Sequence, residues 1–187
     1  MSPQQSGPHR IEFGPDRGTL TVRTDVTGRA ARTGHRLVVG FDRWRATVSF
    51  DDGVPTRVDL TVEVESMQVL SGEGGLTPMT LPERLVARGN ALKSLKSGKF
   101  GEIGFAADEI TATDDGYELT GQLTICGTPR PHTVRVCVTG DDGRTQIAGE
   151  STVRQTDFGV KQYSLMMGAL KVADEVVVEL AATVGDT

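Results

Sequence analysis

The sequence predicts an all-β protein, an antiparallel β-barrel of about eight strands with one helical insertion. Three observations carry that expectation. Apolar and polar residues alternate with period two through most of the chain, most clearly where Trp44, Ala46, Val48 and Phe50 alternate with Arg43, Arg45, Thr47 and Ser49. Asp-Asp-Gly links beginning at Asp51, Asp114 and Asp141 join such runs, and Asp and Gly tolerate the positive φ of tight hairpins. Only between Ser66 and Phe100 does the spacing change to a helical one. A long antiparallel sheet with one consistently apolar face must split into a sandwich or close on itself, and closure is favoured because it removes both edges.

In chain order, residues 1–17 are polar and rich in Pro, Gly and Gln, and read as a flexible arm before a barrel domain over 18–187. Leu20, Val22, Thr24 and Val26 form a half-buried strand pattern; Gly28 to Gly34 is a connector long enough for one helical turn. Leu37, Val39 and Phe41 begin the next strand, and Val58, Leu60, Val62 and Val64 repeat the scheme after the Asp51-Asp52-Gly53 turn. Ser71 to Pro78 reads as a Gly-rich loop. Thr80, Pro82 and Glu83 then give a capping-box helix start, and Leu81, Leu85, Leu92 and Leu95 recur at helical spacing, with Arg84, Arg88, Lys93 and Lys96 outward and a weak middle at Gly89-Asn90. Ile103, Phe105 and Ala107, then Tyr117, Leu119, Gly121, Leu123 and Ile125, then Val134, Val136 and Val138 face inward, with a Pro-rigidified turn at Thr128 to His132.

From Arg154 to Val178 the chain reads as strand, folded-over flap, strand: a break at Phe158-Gly159, an apolar cluster of Tyr163, Leu165, Met166, Met167, Ala169 and Leu170, and renewed alternation after Asp174. Flexible Met side chains beside aromatics suit an adaptable apolar surface, or the plug of a core.

Composition narrows the function. Hydrophobic residues make up 37% and charged residues 24% of the 187, and the net charge of −5 is spread, so no phosphate-binding stripe for nucleic acid is expected. No run approaches the roughly 18 apolar residues of a membrane span, and the first residues lack a basic and apolar leader, so a cytoplasmic protein is expected. With the turn at Thr128 to His132, Cys137 falls about four residues, on the order of 13 Å, out of register with Cys126, so free thiols rather than a disulfide are expected.

Gly34-His35 before a short strand, Leu123-Thr124-Ile125-Cys126-Gly127 before a Pro-containing turn and a Val-rich strand, and Asp157-Phe158-Gly159-Val160 together resemble the YceI family, from Gly18 to Val184. The resemblance implies a lipocalin-like barrel that holds a polyisoprenoid or similar long apolar lipid. LPERLVARGNALKSLKSGKFGEIGF replaces the family's usual middle section, with only Phe100 and Phe105 echoing it, and marks a divergent, intracellular-type branch.

Side-chain chemistry points the same way. His35 lacks partners at metal-ligand or triad spacing, because His9 falls in the arm and His132 in a surface turn, so it reads as a hydrogen-bonding residue at a strand start. The cysteines form no CxxC, and Gly72 to Gly75 lacks the Lys-Ser/Thr of a phosphate loop. Asp157 and Lys161 read as a solvated ion pair or a turn cap. No enzyme activity, metal or cofactor is expected, a bound polyisoprenoid-type lipid aside.

The inward residues are mostly Val, Leu, Ala and Gly, which favours an apolar slot, although a flattened barrel would satisfy the same composition. About ten buried methylenes at about 0.8 kcal/mol each give around 8 kcal/mol gross, the scale of micromolar binding. The expected lining is Trp44, Val48, Phe50, Leu60 and Val62, with Phe105, Leu119, Leu123 and Val136; the flap residues Phe158, Tyr163, Met166, Met167 and Leu170 would close it. The expected partner is an apolar lipid such as a polyisoprenoid or isoprenoid quinone, held for storage or transport, with transient membrane contact and a homodimer as open options and nucleic acid excluded. The alternative is a protein–protein interaction module with a filled core that docks through the flap or Leu81 to Leu95. A small hydrolase using His35 is the weaker third reading.

Overall fold

A computed structural model of the chain describes residues 7–141 and 143–185. The strands in order are β1 (His9–Phe13), β2 (Gly18–Arg23), β3 (Val26–Thr27), β4 (His35–Phe41), β5 (Trp44–Asp51), β6 (Val54–Glu63) and β7 (Met67–Gly74). Helix α1 (Leu81–Ser94) follows, then β8 (Glu102–Ala112), β9 (Gly116–Ile125), β10 (Thr128–Asp141), β11 (Arg144–Arg154), β12 (Ser164–Leu165), β13 (Leu170–Val172) and β14 (Glu175–Gly185). Eleven strands form one antiparallel sheet in the order β1-β5-β6-β8-β9-β10-β11-β14-β2-β4-β7, and β12-β13-β3 form a small second sheet.

The large sheet curls into a half-barrel with its apolar face inward. The twist that curls it is the ordinary right-handed twist of strands, sharpened by bulges where Asp108 of β8, Leu70 of β7 and Thr56 of β6 stand as the extra residue. Beside the β8 bulge the strands come so close that a Cβ on Gly121 would collide with the Ala106 carbonyl oxygen, so only glycine fits there. The expected closure by a hydrogen-bonded ladder is incomplete: among the described residues no pairing joins the terminal strands β1 and β7. Instead the β4–β5 and β6–β7 corners are tied together, Asp42 N–H donating to Ser66 O (3.2 Å) and Glu63 N–H to Arg43 O (3.0 Å). The buried Ser66 hydroxyl donates to Glu63 O and lies within reach of Arg43 O.

Helix α1 begins as its sequence dictates. Thr80 accepts from Glu83 N–H, the Glu83 carboxylate accepts from Thr80 N–H (2.6 Å), and Pro82 sits in the first turn. The helix is unbroken at Gly89-Asn90, and its docking face is the expected one in the second half, where Leu92 and Leu95 pack against the core, and differs in the first. Leu81 and Leu85 are exposed, whereas Arg84 and Arg88 turn toward the sheet and donate to the carbonyls of Leu70, Met67 and Glu65. Those carbonyls lie on or beside β7, an edge strand whose open hydrogen-bonding groups attract the two guanidiniums more strongly than an apolar stripe would.

Four further boundaries differ from expectation. His9–Phe13, placed in the arm, pairs with β5 and buries Phe13, while residues 1–6 of that arm lie outside the described residues. The Gly-rich loop is shorter than Ser71 to Pro78, because β7 runs to Gly74. The turn at Thr128 to His132 lies instead at Cys126-Gly127, both in the left-handed region, so Cys137 pairs with Gly116 at the far end of the β9–β10 hairpin from Cys126. The strand count exceeds about eight because β1, β7 and the short β3, β12 and β13 add to the alternating runs. The Asp51 hairpin forms as expected, with Asp52 and Gly53 both at positive φ; the Asp141-Asp142-Gly143 link includes Asp142, outside the described residues.

Candidate functional site

Inside the curl lies a cavity of about 1270 Å³. Its wall is built from the inward positions of nearly every strand, among them Val22, Val39, Val48, Leu60, Leu119 and Val178. Period-two alternation puts these side chains on one face, and small branched residues leave the centre unfilled. The lining runs from Tyr163 and Lys171 at the flap to Gly53, Thr145 and Gly185 at the hairpin end.

Of the residues expected to line a slot, Val48, Phe50, Leu60, Val62, Phe105, Leu119, Leu123 and Val136 do so, as do the flap residues Tyr163 and Leu170. Trp44 does not: it is buried in the wall, edge to face with Phe13 at 6.1 Å between centroids. Phe158 is packed into a second core cluster with Val153 and Val160 behind the cavity. Met166 and Met167 are exposed, because both have positive φ and Gly168 follows at φ 87°, which turns this tip outward. The flap thus reaches the cavity with Tyr163, Leu165, Leu170 and Val172, not with its methionines. The filled core required by the interaction-module alternative is not what the structure has.

The flap is held at both ends. Val172 N–H donates to Tyr163 O, Ala173 N–H to Asp25 O, and Ala30 N–H to Ala169 O. Leu170 lies against Gly34, where a Cβ would crowd its methyl groups. At the base Thr156 bonds the Asp174 carboxylate; partial burial pushes that carboxyl upward, but the Thr156 hydrogen bonds outweigh it and hold it below the usual range. Helix α1 contributes Pro82, Val86, Ala87, Asn90 and Ala91 to the lining, and Leu95 follows at its C-cap.

Three histidines line the cavity, two of which sequence reasoning placed elsewhere. His35 Nε2 lies 2.8 Å from Thr77 O, a hydrogen-bonding role as expected for a residue that starts a strand. His9 is stacked on Phe50 at 4.7 Å, corrected from the arm to the wall. His132 is corrected from a surface turn to an inward position of β10, edge to face with Phe105 at 6.2 Å. Burial pushes the His132 pKa down, favouring the neutral ring. Its Nε2 and His9 Nδ1 are buried without a hydrogen-bond partner. The parity of His132 with Val134 and Val136 would have found it had the turn been placed correctly.

Elsewhere the chemistry is sparse. Among the described residues no group of three or more His, Cys, Asp or Glu is arranged to hold a metal ion, and no helix is long and apolar enough to cross a membrane. Cys126 is a buried free thiol, bonded to Leu95 O and pushed up in pKa by burial; Cys137 is free and exposed.

Comparisons with known proteins agree with this architecture. The family model described as YceI-like domain matches residues 15–184. A UPF0312 protein of Pseudomonas paraeruginosa is 31% identical in an alignment over 81 residues, covering 37% of this chain and 42% of that protein. The chain therefore spans less than half the length of that curated relative. The crystal structure of Burkholderia cenocepacia BcnA superposes with a TM-score of 0.70 at 17% identity, covering 91% of this chain and 98% of BcnA. A Campylobacter jejuni YceI protein superposes with a TM-score of 0.61 at 13% identity, covering 80% and 84%. A mutant of that protein, solved with a monobromobimane guest, gives 0.62 at 14% identity over the same shares.

Proposed function

The chain belongs to the family of YceI-like domains, and from that premise we propose that it holds a long apolar chain of the polyisoprenoid or isoprenoid-quinone type, for storage, shielding or transfer, without catalysing a reaction on it. The observation that carries this reading is the cavity: about 1270 Å³, larger than the roughly 300–1,000 Å³ of ordinary small-molecule pockets, and walled mainly by Val, Leu, Ile and Phe. A flexible tail gains about 0.8 kcal/mol per buried methylene there, so a long chain gains the most. Each histidine of the wall is engaged by a neighbour that does not activate it, His35 by Thr77 O, His9 by Phe50 and His132 by Phe105, which supports binding without catalysis.

The mouth supports transfer. Leu81, Leu85 and Val86 on α1 and Leu165, Met166 and Met167 on the flap are exposed apolar groups, and Val86 and Leu165 also line the cavity, an arrangement suited to transient contact with a membrane surface while a tail passes. A cytoplasmic setting belongs to the same reading and is supported by the free thiols of Cys126 and Cys137; cell fractionation tests it.

The test is organic extraction of the purified protein and mass spectrometry, followed by titration with a polyprenyl alcohol. Co-purifying isoprenoid, or saturable uptake at one site per chain, is the expected result. Empty extracts together with no uptake of any polyprenyl compound overturn the reading.

A further inference from the structure

We propose that a fork between β10 and β11 is a polar subsite of the cavity, where His132 meets a neutral hydrogen-bonding group, foremost a hydroxyl, at one end of an otherwise apolar ligand. The proposal rests on the reading that the cavity holds such a ligand.

The fork is written in the sequence. β10 and β11 pair from Asp141/Arg144 only as far as Arg135/Glu150. Beyond that point Thr128–Val134 pair with β9 alone, and Ser151–Arg154 pair with β14 alone. Pro129 and Pro131 lie in this unpaired part of β10, and a proline has no N–H to donate to a neighbouring strand. The strands therefore part where β10 cannot complete a ladder.

The parted strands leave a cleft of about 360 Å³ on the outside of the wall, lined by Arg130, Thr152, Arg154, Asp157, Phe158 and Glu175 among others. His132 and Val153 line both this cleft and the main cavity. Two side chains are all that both spaces share along this seam. His132 Nε2 is buried without a partner, an arrangement that is unfavourable unless something bonds to it. The Phe105 edge packs against the ring and fixes its position.

The charges decide what kind of group fits. Arg130 already donates to Asp157 O (2.9 Å), and Arg154 lies 3.4 Å from Glu175. The two guanidiniums are matched by the two carboxylates of Asp157 and Glu175, so an anionic head finds no uncompensated cation here. Burial keeps the imidazole neutral. A hydroxyl satisfies Nε2 in either tautomer, as donor or acceptor, and keeps its remaining hydrogen bonds to water in the cleft.

The test compares phytanol with phytane, the same saturated branched chain without the hydroxyl, by displacement of a fluorescent apolar probe from the full chain. Wild type is expected to bind the alcohol roughly three- to tenfold more tightly. In His132→Leu that preference disappears while phytane binds within about twofold of wild type. His132→Gln, whose amide can donate or accept a hydrogen bond in place of the imidazole, recovers part of it. Thr152→Trp fills the cleft from an exposed position, and is expected to weaken the alcohol alone. Equal binding of both ligands to wild type, or an alcohol preference that survives in His132→Leu and Thr152→Trp, overturns the subsite and leaves the cavity reading intact. Binding of neither ligand to wild type overturns both.

Discussion

Thr156 grips Asp174 at both carboxylate oxygens, its backbone N–H donating to Oδ1 at 2.9 Å and its hydroxyl to Oδ2 at 2.6 Å. The first residue lies just after β11 and the second just before β14, so this pair pinches the two stems of the flap together; Gln155 N–H to Asp174 O (2.9 Å) completes the pinch. Replacing Asp174 by Ala removes two side-chain hydrogen bonds and is expected to cost about 1–3 kcal/mol in all. Hydrogen exchange should quicken over residues 155–173 and remain unchanged in β8 and β9. Uniform acceleration across the sheet would show that the pair supports the whole fold and not the flap alone.

The capping box at α1 makes a second, independent prediction. Thr80→Ala removes the hydroxyl that accepts from Glu83 N–H and should lower stability by about 0.5–2 kcal/mol. The hydrogen bond from Thr80 N–H, then its hydroxyl, holds the Glu83 carboxyl below its usual pKa. A depressed carboxylate contributes stability above its unfolded pKa of about 4.3, lost as pH falls through the folded value. The gap between wild type and Thr80→Ala, measured by urea unfolding, is therefore expected to narrow below about pH 4.3 and to stay constant above it.

Much of this architecture was legible in the chain, and the gaps have physical causes. Asp52-Gly53 announced a two-residue hairpin, and Thr80 with Glu83 announced a helix start, because each depends on local backbone geometry alone. The strand–flap–strand plan around Asp174 followed from a change in period. β1 was missed because five residues beside a polar, Gly- and Pro-rich stretch carry too little pattern, and its burial comes from pairing with β5. Pro129 and Pro131 misled in an instructive way: they read as a turn, yet they lie in a strand whose outer side has no partner. Most strand residues of the slot were identifiable by parity. Trp44 was not separable from them, since alternation tells which face a residue is on and says nothing about where along the barrel the void begins. The orientation of α1 depends on carbonyls of β7, an interaction between segments that no local pattern records.

The Cys137 thiol donates to Asp115 Oδ2 at 3.1 Å, and that bond, with some burial, raises the thiol pKa. The reactive thiolate is thus scarcer than in an ordinary exposed cysteine. Asp115→Asn removes the charge and is expected to speed iodoacetamide labelling of Cys137 at pH 8, with Cys126 unlabelled in the native protein in both cases. Equal rates in the two proteins would count against the hydrogen bond.

His132 makes a prediction about acid. Its folded pKa is lowered by burial, whereas the unfolded side chain titrates near pH 6.5. Below that pH the unfolded chain takes up a proton that the folded chain resists, so stability falls as pH drops from about 6.5 toward the folded value. The lowered carboxyls of Glu83, Asp115 and Asp174 act in a separate window, below about pH 4. Urea titrations between pH 7.5 and 5 should show a steeper decline for wild type than for His132→Gln. Parallel curves would mean that the buried ring is not what resists protonation.

The void itself is open to a direct test by filling it. Leu119 and Val136 face the cavity from β9 and β10, Leu119 in register with Ile110 and Val134 and Val136 with Tyr117, and Val136 is the less tightly packed of the two. In a filled core, Val136→Trp would force neighbours off their rotamers and cost about 1–3 kcal/mol. In a barrel with a real lumen the indole enters open space, where it buries apolar surface and displaces whatever occupies the slot. Stability of Val136→Trp is therefore expected within about 1 kcal/mol of wild type, while polyprenyl uptake falls at least tenfold. Leu119→Ala runs the other way: it enlarges a space that already exists, so its cost should sit near the lower end of the roughly 2–5 kcal/mol typical of buried leucines, with uptake retained. Thermal unfolding and ligand titration of the two variants together separate an open lumen from a packed one. A strongly destabilised Val136→Trp that still takes up polyprenyl alcohol would place the ligand somewhere other than this cavity.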